Sequence, residues 1–215
     1  LDLRDSFNSG RISFAVGDDG VLQVLNDIFG TLYRRNVVMF GQPNLPGHAE
    51  TLKEMQFFET LCAANRAPLD QFALQWQNNL SENLKDFLEG PFLQDEQGAW
   101  SGAEAVVVAA GPSVDDVEIP RDFGGAKIVA CDTAMPVLAA RKIVPDMIVT
   151  LDSSVMNRTY LQNLPNAVYD RSVLCVTPLV DREVYRPFRR VLFYSYGHPL
   201  LDHLRETGVP FEPLA

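Results

Sequence analysis

The sequence predicts an α/β fold, and three features predict it. The first is the run Ala105-Val106-Val107-Val108-Ala109-Ala110-Gly111-Pro112-Ser113, in which β-branched residues feed a turn of small ones. Such a run reads as a buried parallel strand. The second is a pair of similar runs, Ile128 to Thr133 and Met147 to Ser154, each ending in an Asp and then a hydroxyl. The third is a change of texture near residue 100, from helical spacing to strand–helix alternation. Alternation of that kind argues for a Rossmann-like, doubly wound parallel sheet with helices on both faces, preceded by a mainly helical N-terminal region.

In chain order, Arg11 to Val16 reads as a short strand and Asp18-Asp19-Gly20 as a turn. From Gly20 to Arg35, Val21, Leu22, Val24, Leu25, Ile28, Phe29 and Leu32 recur at helical spacing. Val37 to Phe40 is short and apolar, and the Gly/Pro-rich stretch from Gly41 to Gly47 is a loop. Two long helices are expected next. The first spans His48 to Asn65, with Leu52, Met55, Phe58 and Cys62 to one side; the second spans Pro68 to Glu89, with Phe72, Trp76, Leu80, Leu84 and Phe87 as its stripe. Pro68 suits a first helical turn and Gly90-Pro91 a stop. Aromatic stripes of this type belong to packing. Gln94 to Gly102 reads as a linker, which divides the chain into a helical region, 1–100, and a Rossmann-like domain, 101–215. In the latter, strands are expected at Glu104–Ala110, Lys127–Asp132, Asp146–Leu151, Arg171–Thr177 and Arg190–Tyr196. Helices are expected at Thr133–Arg141, Met156–Leu164 and Pro199–Thr207.

The 215 residues suit one large domain or two small ones. No apolar run of about 20 residues offers a membrane span. A net charge of −10 argues against nucleic acid or an anionic membrane as partner. It leaves room for a small anion held by backbone amides. Cys62, Cys131 and Cys175 lack zinc-ligand spacing and read as reduced thiols of a cytoplasmic protein. No secretory leader opens the chain, and Leu1 is no start methionine, so a processed or partial chain is expected.

The candidate site is the rim where the first three strands end. The amides of Ala110, Gly111 and Ser113 suit an anion cradle, with Pro112 fixing the bend and the Ser113 hydroxyl a further donor; the alternative is an ordinary strand-to-helix turn. Asp132-Thr133 suits a ribose hydroxyl, or equally a helix cap. Asp152-Ser153 suits a magnesium ion, a ribose or a sugar hydroxyl, or again a cap. Asp146, after Pro145, falls at the opposite end of its strand and reads as structural. His198 follows the fifth strand on the same rim and is the candidate catalytic base; His48, at a helix start, reads as structural, and His203 is given no role. No nucleophile elbow, zinc-protease motif or Walker lysine loop occurs.

In their order, Ala110-Gly111-Pro112-Ser113, Cys131-Asp132-Thr133-Ala134, Ile143-Val144-Pro145-Asp146 and Thr150-Leu151-Asp152 resemble the core of the bacterial motility-associated factor family. That family is similar to sialyltransferases, and its members are glycosyltransferases that decorate flagellin with nonulosonic acids. The resemblance runs from Val106 to about Leu164 and is loose in the first half of the chain. It implies transfer from a CMP-sugar donor to Ser or Thr of flagellin, with no metal required. Related sialyltransferases carry an Asn-containing tip where this chain has Asp132. The same superfamily holds hydroxymethylpterin diphosphokinase-like enzymes, which use magnesium, and a non-catalytic nucleotide-sugar-binding or flagellar assembly module is a third reading. The family would continue beyond Ala215 into a glycine-rich segment and further strands. The piece is therefore expected to carry part of a site and to leave a sheet edge open, through which it could form a homo-oligomer.

Overall fold

The computed structural model describes residues 23–27, 30, 44, 46–112, 114, 123–154 and 156–208. The expected strands at Arg11–Val16 and Val37–Phe40, most of the helix expected at Gly20–Arg35, and Ser113 lie outside the described residues. The chain divides into two compact units, Leu1–Ala73 and Leu74–Ala215. Residues 74–100, which sequence texture groups with the N-terminal region, fall in the second unit with the sheet.

Helix α1 spans His48–Glu89, with Pro68 inside it. Two helices were expected here, and one forms. Pro68 removes one amide donor and crowds the preceding turn. The strong helix formers Ala63, Ala64, Arg66 and Ala67 around it carry the helix through.

In the second unit, five parallel strands form in sequence order: β1 Ala105–Val108, β2 Lys127–Cys131, β3 Met147–Thr150, β4 Val173–Val176 and β5 Arg190–Phe193. Between and after them come α2 Met135–Ala140, α3 Met156–Leu161, α4 Asn166–Arg171, α5 Arg182–Tyr185 and α6 Pro199–Glu206. The α/β fold, a parallel sheet behind a mainly helical N-terminal region, is therefore what the sequence builds.

The strand order has no reversal. Right-handed crossovers then all return over the same face. Accordingly Ile128, Ala130, Ile148, Leu174, Val176 and Phe193 share one core with Leu138, Leu161, Val168, Val184 and Leu201 from the five helices. The opposite face carries a smaller cluster, Val173, Cys175, Leu192 and Tyr194, with Leu93 from the short 3-10 turn Leu93–Glu96 against it. On that face β1 is open: Val107 is 76 % exposed, while its neighbour Val108 is buried. Among the described residues, helices thus cover one face of the sheet; the expected doubly wound arrangement, with helices on both faces, is not formed there because the strand order has no reversal to carry a crossover to the other side.

The end of α1 belongs to the covered face. Asn83 is buried and donates to the carbonyls of Pro178 (2.9 Å) and Val180 (2.7 Å), and its amide oxygen accepts from the Tyr185 hydroxyl (2.8 Å). Phe87 packs edge-on to Phe193, with ring centroids 5.7 Å apart. Gly90 is needed here by close approach. A Cβ at this position would lie 2.5 Å from the Asp86 carbonyl oxygen and 3.0 Å from the Phe193 ring.

Candidate functional site

Parallel pairing places the ends of β1, β2 and β3 side by side, with Val108 opposite Ala130 and Cys131 opposite Val149. A cavity of about 310 Å³ opens there, lined among others by Val107, Ala109, Cys131, Asp132, Leu151 and Asp152. Its wall is apolar on the open sheet face, and the two carboxylates sit where β2 and β3 end. No Lys or Arg is among its described lining residues.

Asp132 is buried at the start of a 3-10 turn, Asp132–Ala134, that leads into α2. One carboxylate oxygen accepts from the Thr133 amide (2.6 Å) and the other from the Thr150 hydroxyl (2.5 Å). Asp132 is the first residue of the turn and not a cap: the N-caps of the turn and of α2 are Cys131 and Ala134, neither with a side-chain cap bond, and each Asp132 oxygen keeps a lone pair for a ligand. Thr133 is exposed, and its hydroxyl lies 3.1 Å from Cys131 Sγ. Asp152 is exposed and closes a local turn, accepting from the amide and hydroxyl of Ser154, both at 2.7 Å.

Ala109 lines the cavity. Ala110, Gly111 and Pro112 follow it as exposed residues, and the Gly111 carbonyl accepts from the Val114 amide (2.9 Å). Ser153 turns inward instead: its hydroxyl accepts from the Trp76 indole and its carbonyl from the Gln75 side chain, and it is buried.

His198 is the N-cap of α6, where Nδ1 accepts from the Leu200 amide (3.3 Å). The neutral ring therefore carries its proton on Nε2, which is buried without a hydrogen-bond partner. Trp76 meets it edge-on at 4.7 Å and Tyr196 at 5.7 Å. Burial lowers its pKa, against the opposing charge of Asp202. The basic nitrogen is thus spent on a helix cap.

Three groups outside the candidate site residues hold the rim together. Asn157, in the first turn of α3, donates through Nδ2 to Thr150 Oγ1 (2.7 Å) and to the Asp152 carbonyl (2.6 Å). Thr150 in turn donates its hydroxyl hydrogen bond to Asp132. The buried Tyr194 hydroxyl donates to the Thr150 carbonyl (3.0 Å), and burial raises that phenol's pKa. A signal existed for Thr150, a hydroxyl on an inward-facing strand position. None existed for Asn157, which lies in a helix five residues beyond Asp152.

Residues 78–208, more than half of the chain, match the family described as 6-hydroxymethylpterin diphosphokinase MptE-like. The chain belongs to that family. A solved structure described as the MAf glycosyltransferase from Magnetospirillum magneticum AMB-1 superposes with a TM-score of 0.62 at 20 % identity, over 92 % of this chain. The chain spans 33 % of that larger protein. No curated protein matches the sequence. For the MptE-like domain both findings agree with the resemblance carried by Gly111-Pro112-Ser113, Asp132-Thr133 and Asp152, and the likeness to the glycosyltransferase is one of fold.

Proposed function

We propose that this MptE-like domain binds the nucleoside part of a CMP-activated sugar and contributes to transfer of a nonulosonic acid to a Ser or Thr hydroxyl of flagellin. The observation that carries the reading is the single cavity shared by the ends of β1, β2 and β3, with Asp132 and Asp152 on its wall. Its volume, about 310 Å³, suits a nucleoside rather than a whole nucleotide-sugar. A phosphate between two carboxylates would be repelled, whereas ribose hydroxyls or a base amino group would donate to them. The flat apolar wall of Val107, Val129 and Leu151 suits the face of a base. The exposed turn that follows Ala109 from the cavity wall, with the amides of Ala110 and Gly111, is the place this reading assigns to the phosphate. Donors at that turn would stabilise the departing CMP phosphate as the sugar becomes oxocarbenium-like.

The family description favours one second reading, a magnesium-dependent diphosphokinase. Asp132 and Asp152 are the two carboxylates on the cavity, and both already accept two hydrogen bonds within the protein. Among the described residues, no group of three or more His, Cys, Asp or Glu gathers as a metal shell. Two carboxylates with lone pairs to spare could share a magnesium ion with a substrate's phosphates; this reading ranks second because the fold matches a glycosyltransferase.

Cys131 provides the test. It lines the cavity and is half-buried, whereas Cys62 and Cys175 are buried and burial pushes the Cys175 thiol up to about 12. Iodoacetamide should therefore label Cys131 first. Bound CMP should slow that labelling at least severalfold without magnesium. Protection by ATP only with magnesium would favour the diphosphokinase. Labelling unchanged by either nucleotide would remove both readings.

A further inference from the structure

The geometry points to Asn157 as a positioning residue that sets the two acidic strand tips relative to each other. The inference rests on the nucleoside-site reading for its ligand but not for its mechanics. Asn157 is wholly buried and spends both amide hydrogens on the tips: one on Thr150 Oγ1, the other on the Asp152 carbonyl. Because Thr150 Oγ1 accepts from Asn157, its own hydrogen is directed at Asp132 Oδ2, 2.5 Å away. A single side chain on α3 therefore connects the end of β2 to the loop after β3. A chain of donors in one direction polarises each member, so the link is cooperative.

The amide orientation is fixed by its partners. Turning Asn157 over would set its oxygen against the Asp152 carbonyl oxygen, which offers no hydrogen. As it stands, Oδ1 is buried without a partner. Leaving an acceptor dry has a cost, and the fold accepts it to keep both donors on the tips. Helix α3 is itself anchored: Arg158, the next residue, pairs with Asp181 through Nε (2.9 Å) and Nη2 (2.5 Å), and Asp181 caps α5. Asn157 is thus held from behind and cannot follow a tip that moves. Asp132 and Asp152 line the cavity, and Asn157 is absent from its lining, so it acts through them.

The test combines calorimetric binding of CMP with amide hydrogen exchange at Thr133 and Ser154, whose N–H groups report the two carboxylates. Asn157→Ala and Thr150→Val should each weaken CMP about tenfold, the equivalent of one hydrogen bond. The double variant should be no weaker than about tenfold, since both cut one relay. Thr150→Ser, which keeps the hydroxyl, should stay within about threefold of the parent. In either disruptive variant both amides should exchange faster together, with or without nucleotide. Additive losses near a hundredfold, or acceleration confined to Ser154, would overturn the positioning role. If the parent fails to bind CMP while both amides still loosen together, the nucleoside reading falls and the positioning role stands. If the parent binds CMP and Asn157→Ala binds equally with Thr133 unchanged, the reverse holds. Should Asn157→Ala not fold, the contrast between Thr150→Val and Thr150→Ser carries the same decision.

Discussion

Two aspartates on neighbouring strands divide the labour between the opposite ends of the sheet. Asp132 faces the cavity, while Asp146 stands before β3 and ties it to β2. It pairs with Lys127 Nζ (2.8 Å) and accepts from the Ile128 amide (2.9 Å). Burial works to raise its pKa, but the Lys127 hydrogen bond, the Ile128 amide and the Lys127 charge together outweigh burial and hold it below its ordinary value. A lowered folded pKa means that the unfolded chain binds the proton first. The stabilisation is then complete above the ordinary carboxylate value of about 3.9 and lost as the pH falls through the lower folded value. Both side chains are about one-third exposed, so the ion pair itself is worth at most about 1 kcal/mol. Asp146→Asn should lower the urea midpoint at pH 7, and the difference from the parent should close in acid. An unchanged difference at pH 3 would show that the charge is not its source. The structural role of Asp146 was legible from Pro145 and from its place at the strand start. The roles of Thr150 and Asn157 were not, because the register of β2 against β3 brings Thr150 to Asp132 and the return of α3 brings Asn157 to Thr150 and Asp152.

Helix α6 shows what a cap does when it can titrate. His198 holds the first turn through a lone pair on Nδ1, and a proton added there would face the Leu200 amide and the positive end of the helix. Burial lowers the folded pKa, and Asp202 in the first turn of α6 opposes it without cancelling it. The unfolded chain therefore takes up a proton near the ordinary value of about 6.5, before the folded chain does. Stability is complete above that value and declines as the pH falls toward the folded one. The Tm of the parent should drop between pH 7 and pH 5 by more than that of His198→Asn, which caps as well and does not titrate. Parallel pH profiles would refute the cap assignment. At this scale sequence reading met its physical limits. The strands and helices α2, α3 and α6 of the sheet domain were visible in the sequence, with ends shifted by a few residues. Helices α4 and α5 carry six and four residues and no readable period; α5 is specified by the Asp181 cap and the Asp86–Arg182 pair at 2.8 Å. The helix boundary at Pro68 was read from a rule for proline that the surrounding alanines override.

The second unit, taken whole, is an asymmetric sheet. The parallel character was legible, since runs such as Val173-Leu174-Cys175-Val176 are apolar at every position, as strands covered on both faces are. Strand order is a property of pairing and leaves no local trace, and it decides which face the crossovers cover. At β1 the consequence can be measured on adjacent residues. Both valines border the cavity, but Val108 is buried with the helix-side core and Val107 is exposed on the open face. Sequence alone treats the two valines alike. Val108→Ala should remove about 1.5–3 kcal/mol of the folded state's stability, the burial of most of a valine side chain. Val107→Ala should stay within about 0.5 kcal/mol, as an exposed substitution does. It should nevertheless weaken CMP, because it strips part of the apolar wall proposed to receive the base. Urea melts and CMP titrations of the two variants thus separate the face that holds the sheet together from the face that receives a ligand. Equal destabilisation by both would mean that something covers Val107, and an unaltered CMP affinity in Val107→Ala would move the base elsewhere in the site.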